Sequence, residues 1–229
     1  MKNYLIVGAS SGIGKQLAEQ LAINNNVLGT FNKHPIDSDT IQYHFLDVLA
    51  TEYNLSFLPE VLDGIAYCPG AINLKPFARI KNEDFEVDYK LQVLGAVKII
   101  QHCLPKLKQS TQASIVLFST IAVQTGFNFH SMVAASKGAI EGLTKSLAAE
   151  FAPNIRVNCI APSITNTPLA ASLLSSFEKI EANAQRHPLK KIGSVEDIAN
   201  LAEFLITEKS AWITGQVIHA DGGMGVLKV

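Results

Sequence analysis

Apolar positions come in two rhythms along this chain, short unbroken runs and longer stretches repeating every three to four residues, and the two alternate. Tyr4-Leu5-Ile6-Val7 is a run of strand length, and after a glycine-rich turn Ile13, Leu17 and Leu21 share one helical face while Lys15, Gln16, Glu19 and Gln20 face away. Asn26–Phe31 reads as a second strand whose exit, Asn32-Lys33-His34-Pro35, is stopped by the proline. Ile41–Leu46 and Ile65–Tyr67 read as further strands. Apolar spacing at Phe85, Leu91, Leu94, Val97, Ile100 and Leu104 predicts one long helix over Asn82–Lys108, with Gly95-Ala96 as a point of close approach. Ser114–Phe118 is continuously apolar, as in a parallel strand covered on both faces, and is capped by Ser119-Thr120. Ser131–Phe151 predicts a helix with a face of small residues, Ala134, Ala135, Gly138, Ala139 and Gly142. A strand at Ile155–Ile160 follows, then an Ala-, Ser- and Leu-rich segment between Pro168 and Pro188 that reads as mobile helix. A helix from the capping pair Ser194 and Asp197 runs through Leu205, and a terminal strand lies within Ile213–Gly223.

The turn Gly8-Ala9-Ser10-Ser11-Gly12-Ile13-Gly14 is the first candidate for chemistry. Gly8 permits the tight turn, Gly12 lets backbone N–H groups approach a diphosphate, and Gly14 lets the helix pack on the strand; the helix N-terminus then faces an anion. A strand-to-helix turn can hold glycines for geometry alone, but the flanking strand and amphipathic helix favour a phosphate cradle.

Composition narrows the partners. With 229 residues, 48% of them hydrophobic and 17% charged, the chain suits one α/β core over 1–229. Lys and Arg number 19 against 20 Asp and Glu, so there is no basic field for nucleic acid or anionic lipid, and a small-molecule partner is favoured. No apolar run is long enough for a membrane span or signal peptide, which leads to the expectation of a cytoplasmic protein. Cys68, Cys103 and Cys159 form no metal or disulfide pattern, and the histidines lack metal-ligand spacing, so no metal is expected.

The loop VGASSGIG resembles the cofactor loop of the short-chain dehydrogenase/reductase family, and further landmarks follow in the family's order: Asp47-Val48, Gly70, Ser119-Thr120, Ala-Ser-Lys at 135–137, Pro162 to Thr167, and Asp221-Gly222-Gly223. The resemblance implies a Rossmann-like, doubly wound parallel sheet of about seven strands. It also implies a dinucleotide held by Gly8, Ser10, Ser11, Gly12, Ile13, Gly14, Asn32, Lys33, Asp47, Val48, Cys68, Gly70, Lys137, Pro162, Ile164 and Thr167. At the end of the second strand an acid would bind the ribose 2′-OH; here Asn32 and Lys33 stand, so Lys33 reads either as a partner for the 2′-phosphate of NADP or as a solvated turn lysine. NAD stays open as cofactor. The family's shared dimer bundle implies a homodimer or homotetramer through the helix Ser131–Phe151 and the long helix before it.

Several positions depart from the family pattern, among them Ser163, which stands where the family's loop after Pro162 has a glycine. Cys68 stands in a segment where the family has Asn-Asn-Ala-Gly, leaving Gly70 alone of the four. Gln92 replaces an Asn that holds a proton-relay water, and reads either as a displaced relay or as a surface glutamine. Val133 stands four residues before Lys137, where the family's proton-donating Tyr belongs. Thr120 falls at the family serine's position, and Lys137 keeps the family's task of binding the nicotinamide ribose. His130, seven residues before Lys137, reads as a substitute acid or as an exposed histidine at a helix start. The functional expectation is an NADP(H)-dependent oxidoreductase acting on a carbonyl, alcohol or activated double bond with altered proton delivery. The alternative is a nucleotide-binding pseudoenzyme used for sensing or assembly.

Overall fold

The computed structural model describes residues 1–228; Val229, the last residue of the expected 1–229 unit, lies outside them. Seven strands form one parallel sheet in the order β3-β2-β1-β4-β5-β6-β7. They are β1 (Asn3–Val7), β2 (Asn26–Phe31), β3 (Ile41–Phe45), β4 (Gly64–Tyr67), β5 (Ala113–Phe118), β6 (Ile155–Pro162) and β7 (Val217–Ala220). The helices are α1 (Gly12–Ala22), α2 (Asn82–Tyr89), α3 (Gly95–Leu107), α4 (Ala122–Thr125), α5 (Ser131–Phe151), α6 (Phe177–Gln185) and α7 (Val195–Ile206). The sheet matches the expected doubly wound topology, and α5 takes the bounds read from the sequence.

Successive residues of β1 serve opposite faces. Leu5 and Val7 join a cluster with Ile99, Ile100 and Ile140 from α3 and α5, whereas Tyr4 and Ile6 join Leu17, Leu21, Ile198 and Ala202 from α1 and α7. Burial on both faces is why the inner strands read as unbroken apolar runs. Because β1 pairs with β2 on one side and with β4 on the other, the chain leaves the sheet in opposite directions at β1 and β4, opening a crevice at their carboxyl ends.

The long helix expected over Asn82–Lys108 is interrupted: α2 and α3 are joined by a π turn at Lys90–Leu94. Tyr67, at the end of β4, donates its hydroxyl to the Leu91 carbonyl at 2.6 Å, satisfying an oxygen in the widened turn. The same hydroxyl fills the space a side chain at Gly95 would need. Periodicity shows the apolar face of this helix, but the bulge depends on a tyrosine on another element.

Candidate functional site

The glycine turn leaves β1 at the crevice with positive φ at Gly8 (78°) and Gly12 (54°), conformations that side chains resist. It is tied to β2 by bonds from Gly8 N–H to Thr30 Oγ1 (3.1 Å) and from Ala9 N–H to the Thr30 carbonyl (2.8 Å). Ser10 and Ile13 are half-buried and Ser11 is exposed. Ser11 occupies the N-cap position of α1 without a side-chain cap, and no acid lies in the first turn, so the leading N–H groups are open to an anion. The loop leaving β6 comes over this turn, because a Cβ on Gly12 would lie 3.6 Å from the Thr167 side chain. In that loop Pro162 pairs with Ala220, the Ile164 carbonyl accepts from Gly193 N–H at 3.0 Å, and Thr167 caps a short 3-10 turn.

The other predicted contacts line the same carboxyl edge. Asn32 and Lys33 are exposed past β2. Asp47, past β3, accepts from Leu49 N–H at 2.9 Å and so shapes its own turn, while Val48 is buried and its carbonyl accepts from the Tyr53 hydroxyl at 2.6 Å. Cys68 and Gly70 follow β4, and burial pushes the Cys68 thiol up to about 12.

Lys137 reaches the crevice from α5, donating Nζ to the Phe118 carbonyl at the end of β5 at 2.9 Å. A Cβ on Gly70 would lie 3.8 Å from that Nζ, so the ammonium sits between the ends of β4 and β5. Loss of solvation lowers its pKa to about 8, against a partial upward pull from Cys159, Asp88 and Cys68. Val133, one turn earlier, is buried yet joins neither large apolar cluster. Thr120 lies just before α4, its Oγ1 accepting from Ala122 N–H at 3.3 Å. His130 is the N-cap residue of α5, with Nδ1 2.8 Å from the Asn128 carbonyl, and lies two turns, about 10 Å, from Lys137. Val133 and Lys137 thus lie one turn apart on α5, Thr120 lies two residues past the Phe118 carbonyl that holds the lysine, and His130 lies two turns away at the start of α5.

Comparison with known proteins agrees with this geometry. The family model described as Enoyl-(Acyl carrier protein) reductase matches residues 44–225. A tropinone reductase homolog of Arabidopsis thaliana is 32% identical, over 98% of this chain and 93% of that protein. The 3-oxoacyl-(acyl-carrier-protein) reductase FabG of Aquifex aeolicus is 30% identical over 97% of each. The solved structure of ElxO with NADP bound superposes with a TM-score of 0.84 at 27% identity, covering 97% of this chain and 98% of that one. The chain belongs to the short-chain dehydrogenase/reductase family.

Several hydrogen-bond partners around the site of this short-chain dehydrogenase/reductase were not found by motif reading. Gln92 is 1% exposed, so it is no surface glutamine; its Nε2 lies 2.8 Å from both carboxylate oxygens of buried Asp88, which also accepts from Ser136 Oγ at 2.6 Å. The Asp88–Gln92 spacing of one helical turn is visible in the sequence, but its burial is not. Ser119, not Thr120, bonds buried Glu141, at 2.6 Å, and Gln124 holds the second Glu141 oxygen at 3.1 Å. Ser163 Oγ lies 2.8 Å from Nε2 of buried His187, whose Nδ1 faces the Asn183 carbonyl at 2.8 Å. A carbonyl only accepts, so Nδ1 donates, and in the neutral ring Nε2 takes the serine proton. Among the described residues no group of His, Cys, Asp and Glu is arranged to hold a metal, and no helix is long and apolar enough to cross a membrane.

Proposed function

We propose that this short-chain dehydrogenase/reductase is an NADP(H)-dependent oxidoreductase that moves a hydride to or from a carbonyl, alcohol or activated double bond, with proton delivery altered at Val133. The observation that carries the reading is Lys137, placed between the ends of β4 and β5 and across the switch point from an uncapped phosphate turn. The residues fit a dinucleotide: the α1 N-terminus and the glycine turn would take the diphosphate, Asp47 and Val48 the adenine side, and Lys137 with the Pro162–Thr167 loop the nicotinamide side. The bound group would supply or accept the hydride. Thr120 offers a hydroxyl to orient the substrate oxygen, and His130 is the nearest candidate to hold a proton in place of a tyrosine.

The name of ElxO with NADP bound supports a nicotinamide cofactor, and the reductase names of the curated relatives support carbonyl chemistry. Buried Val133 favours a second reading, a pseudoenzyme that keeps the dinucleotide for sensing or assembly. A panel of carbonyl and enoyl substrates with NADPH at high protein concentration separates them: turnover of any member supports the enzyme, whereas tight NADPH binding with no turnover supports the pseudoenzyme. A single 1–229 unit, cytoplasmic location, a small-molecule substrate and self-association through the small-residue face of α5 belong to the same proposal.

Lys33 sets the expected cofactor preference. It lies exposed past the end of β2, the strand beside which a doubly wound fold holds the adenosine ribose, and no ion pair engages it among the described residues. NADPH should bind more tightly than NADH, and Lys33→Glu should weaken NADPH by about tenfold, or ~1.4 kcal/mol, while sparing NADH. Fluorescence titration of both cofactors reads this directly, and equal affinities in the unmodified protein would refute it.

A further inference from the structure

Asp88 is 2% exposed near the C-terminal end of α2, and among the described residues no salt bridge engages it. Both oxygens instead accept from Gln92 Nε2 at 2.8 Å, and one also accepts from Ser136 Oγ at 2.6 Å. A carboxylate can only accept, so it must meet the NH2 end of the Gln92 amide. The other end, Oε1, is thereby turned away from Asp88, is buried, and has no hydrogen-bond partner. It faces the crevice floor: a Cβ on Gly70 would lie 3.6 Å from Gln92 Oε1 and 3.8 Å from Lys137 Nζ. A buried orphan acceptor on the floor that a lysine ammonium also borders is costly unless it serves a donor held there.

We infer that Asp88 is a positioning residue for Lys137, locking the Gln92 amide with its carbonyl on the crevice floor that the ammonium borders and supplying the carboxylate that acts on the lysine from a neighbouring element. The other groups acting on the Lys137 charge are Cys159 from β6 and Cys68 past β4. Burial pushes both thiols up to about 12, so they are neutral at pH 7. On the lysine's own helix, Glu141 is held by Ser119 and Gln124. Asp88 therefore opposes the loss of solvation that would otherwise discharge Lys137 near neutral pH. The consequence for dinucleotide binding rests on the function proposed above; the effect on the lysine does not.

The test follows the Lys137 13Cε resonance against pH in the protein without cofactor, the signal being assigned by its loss in Lys137→Arg. In Asp88→Asn the charge is gone, and an amide N–H facing Gln92 favours a flipped Gln92 whose carbonyl leaves the crevice. The Lys137 midpoint should fall by about 0.5–1 pH unit. Gln92→Met should lower it less, and Ser136→Ala should lower thermal stability without moving it. An Asp88→Asn midpoint unchanged to within about 0.2, with reduced thermal stability, would make Asp88 a structural brace and overturn the inference. If Asp88→Asn does not fold, an unmoved midpoint in Gln92→Met overturns it instead. A parallel NADPH titration at pH 8 should show about tenfold weaker binding in Asp88→Asn. Absence of NADPH binding in the unmodified protein would defeat the proposed function, while the midpoints would still decide the role of Asp88.

Discussion

Val133→Tyr should raise carbonyl reduction by about 10²–10⁴-fold, the usual contribution of a positioned general acid. Position 133 lies one helical turn before Lys137 on α5, so a phenol there would lie near the lysine and the strand end that leads into Thr120. The buried valine joins neither large apolar cluster, so its replacement acts on the crevice wall more than on the sheet core. A larger side chain still costs about 1–3 kcal/mol of overpacking, which thermal denaturation would register. A neighbouring ammonium favours phenolate and so lowers the phenol pKa. Lys137 itself titrates at about 8, and that help is present below pH 8 and fades as pH rises through it. The gain should therefore shrink in alkaline solution. Steady-state kinetics on the substrate panel would read both effects. A folded, NADPH-binding Val133→Tyr protein with no gain would show that the crevice has been reshaped for binding. If the unmodified protein already turns a substrate over and His130→Ala lowers that rate without weakening NADPH, the imidazole is the working acid.

Gly14→Ala should abolish useful dinucleotide binding, with NADPH affinity falling by about 100-fold or more. A Cβ at this first-turn position of α1 would overlap the Gly8 carbonyl oxygen and press on the Cys68 side chain. Backbone cannot rotate aside as a side chain can, so α1 must back away from β1 and pull the leading N–H groups out of register with the diphosphate. The same overlap should cost about 1–3 kcal/mol of folding stability. Isothermal titration with NADPH and denaturant unfolding measure the two losses separately. Near-normal affinity in the alanine variant would mean that the glycine turn is only a geometric connection.

What the sequence determined by itself is the scaffold and the ligand edge. Strand-length apolar runs alternating with helical periodicity specify a parallel sheet, because burial on both faces leaves its mark on every strand residue. Gly8, Gly12 and Gly14 are equally legible, since only glycine tolerates the two positive φ angles and the close approach found there. Lys137 was legible from its place in a motif, and its partner, the Phe118 carbonyl, lies at the end of a strand that periodicity also located. The environment of that lysine was decided by tertiary structure. Gln92 and Asp88 are polar residues on a stretch whose pattern allows a solvated face, and only the packing of α2 and the π turn against α5 buries them. The bulge itself needs the Tyr67 hydroxyl from β4, and the Ser163–His187 bond joins residues on different segments. Periodicity records which side of an element is apolar. Hydrogen bonds between elements follow from distances that no single stretch of chain contains, and those bonds set the charge and orientation of the groups at the crevice.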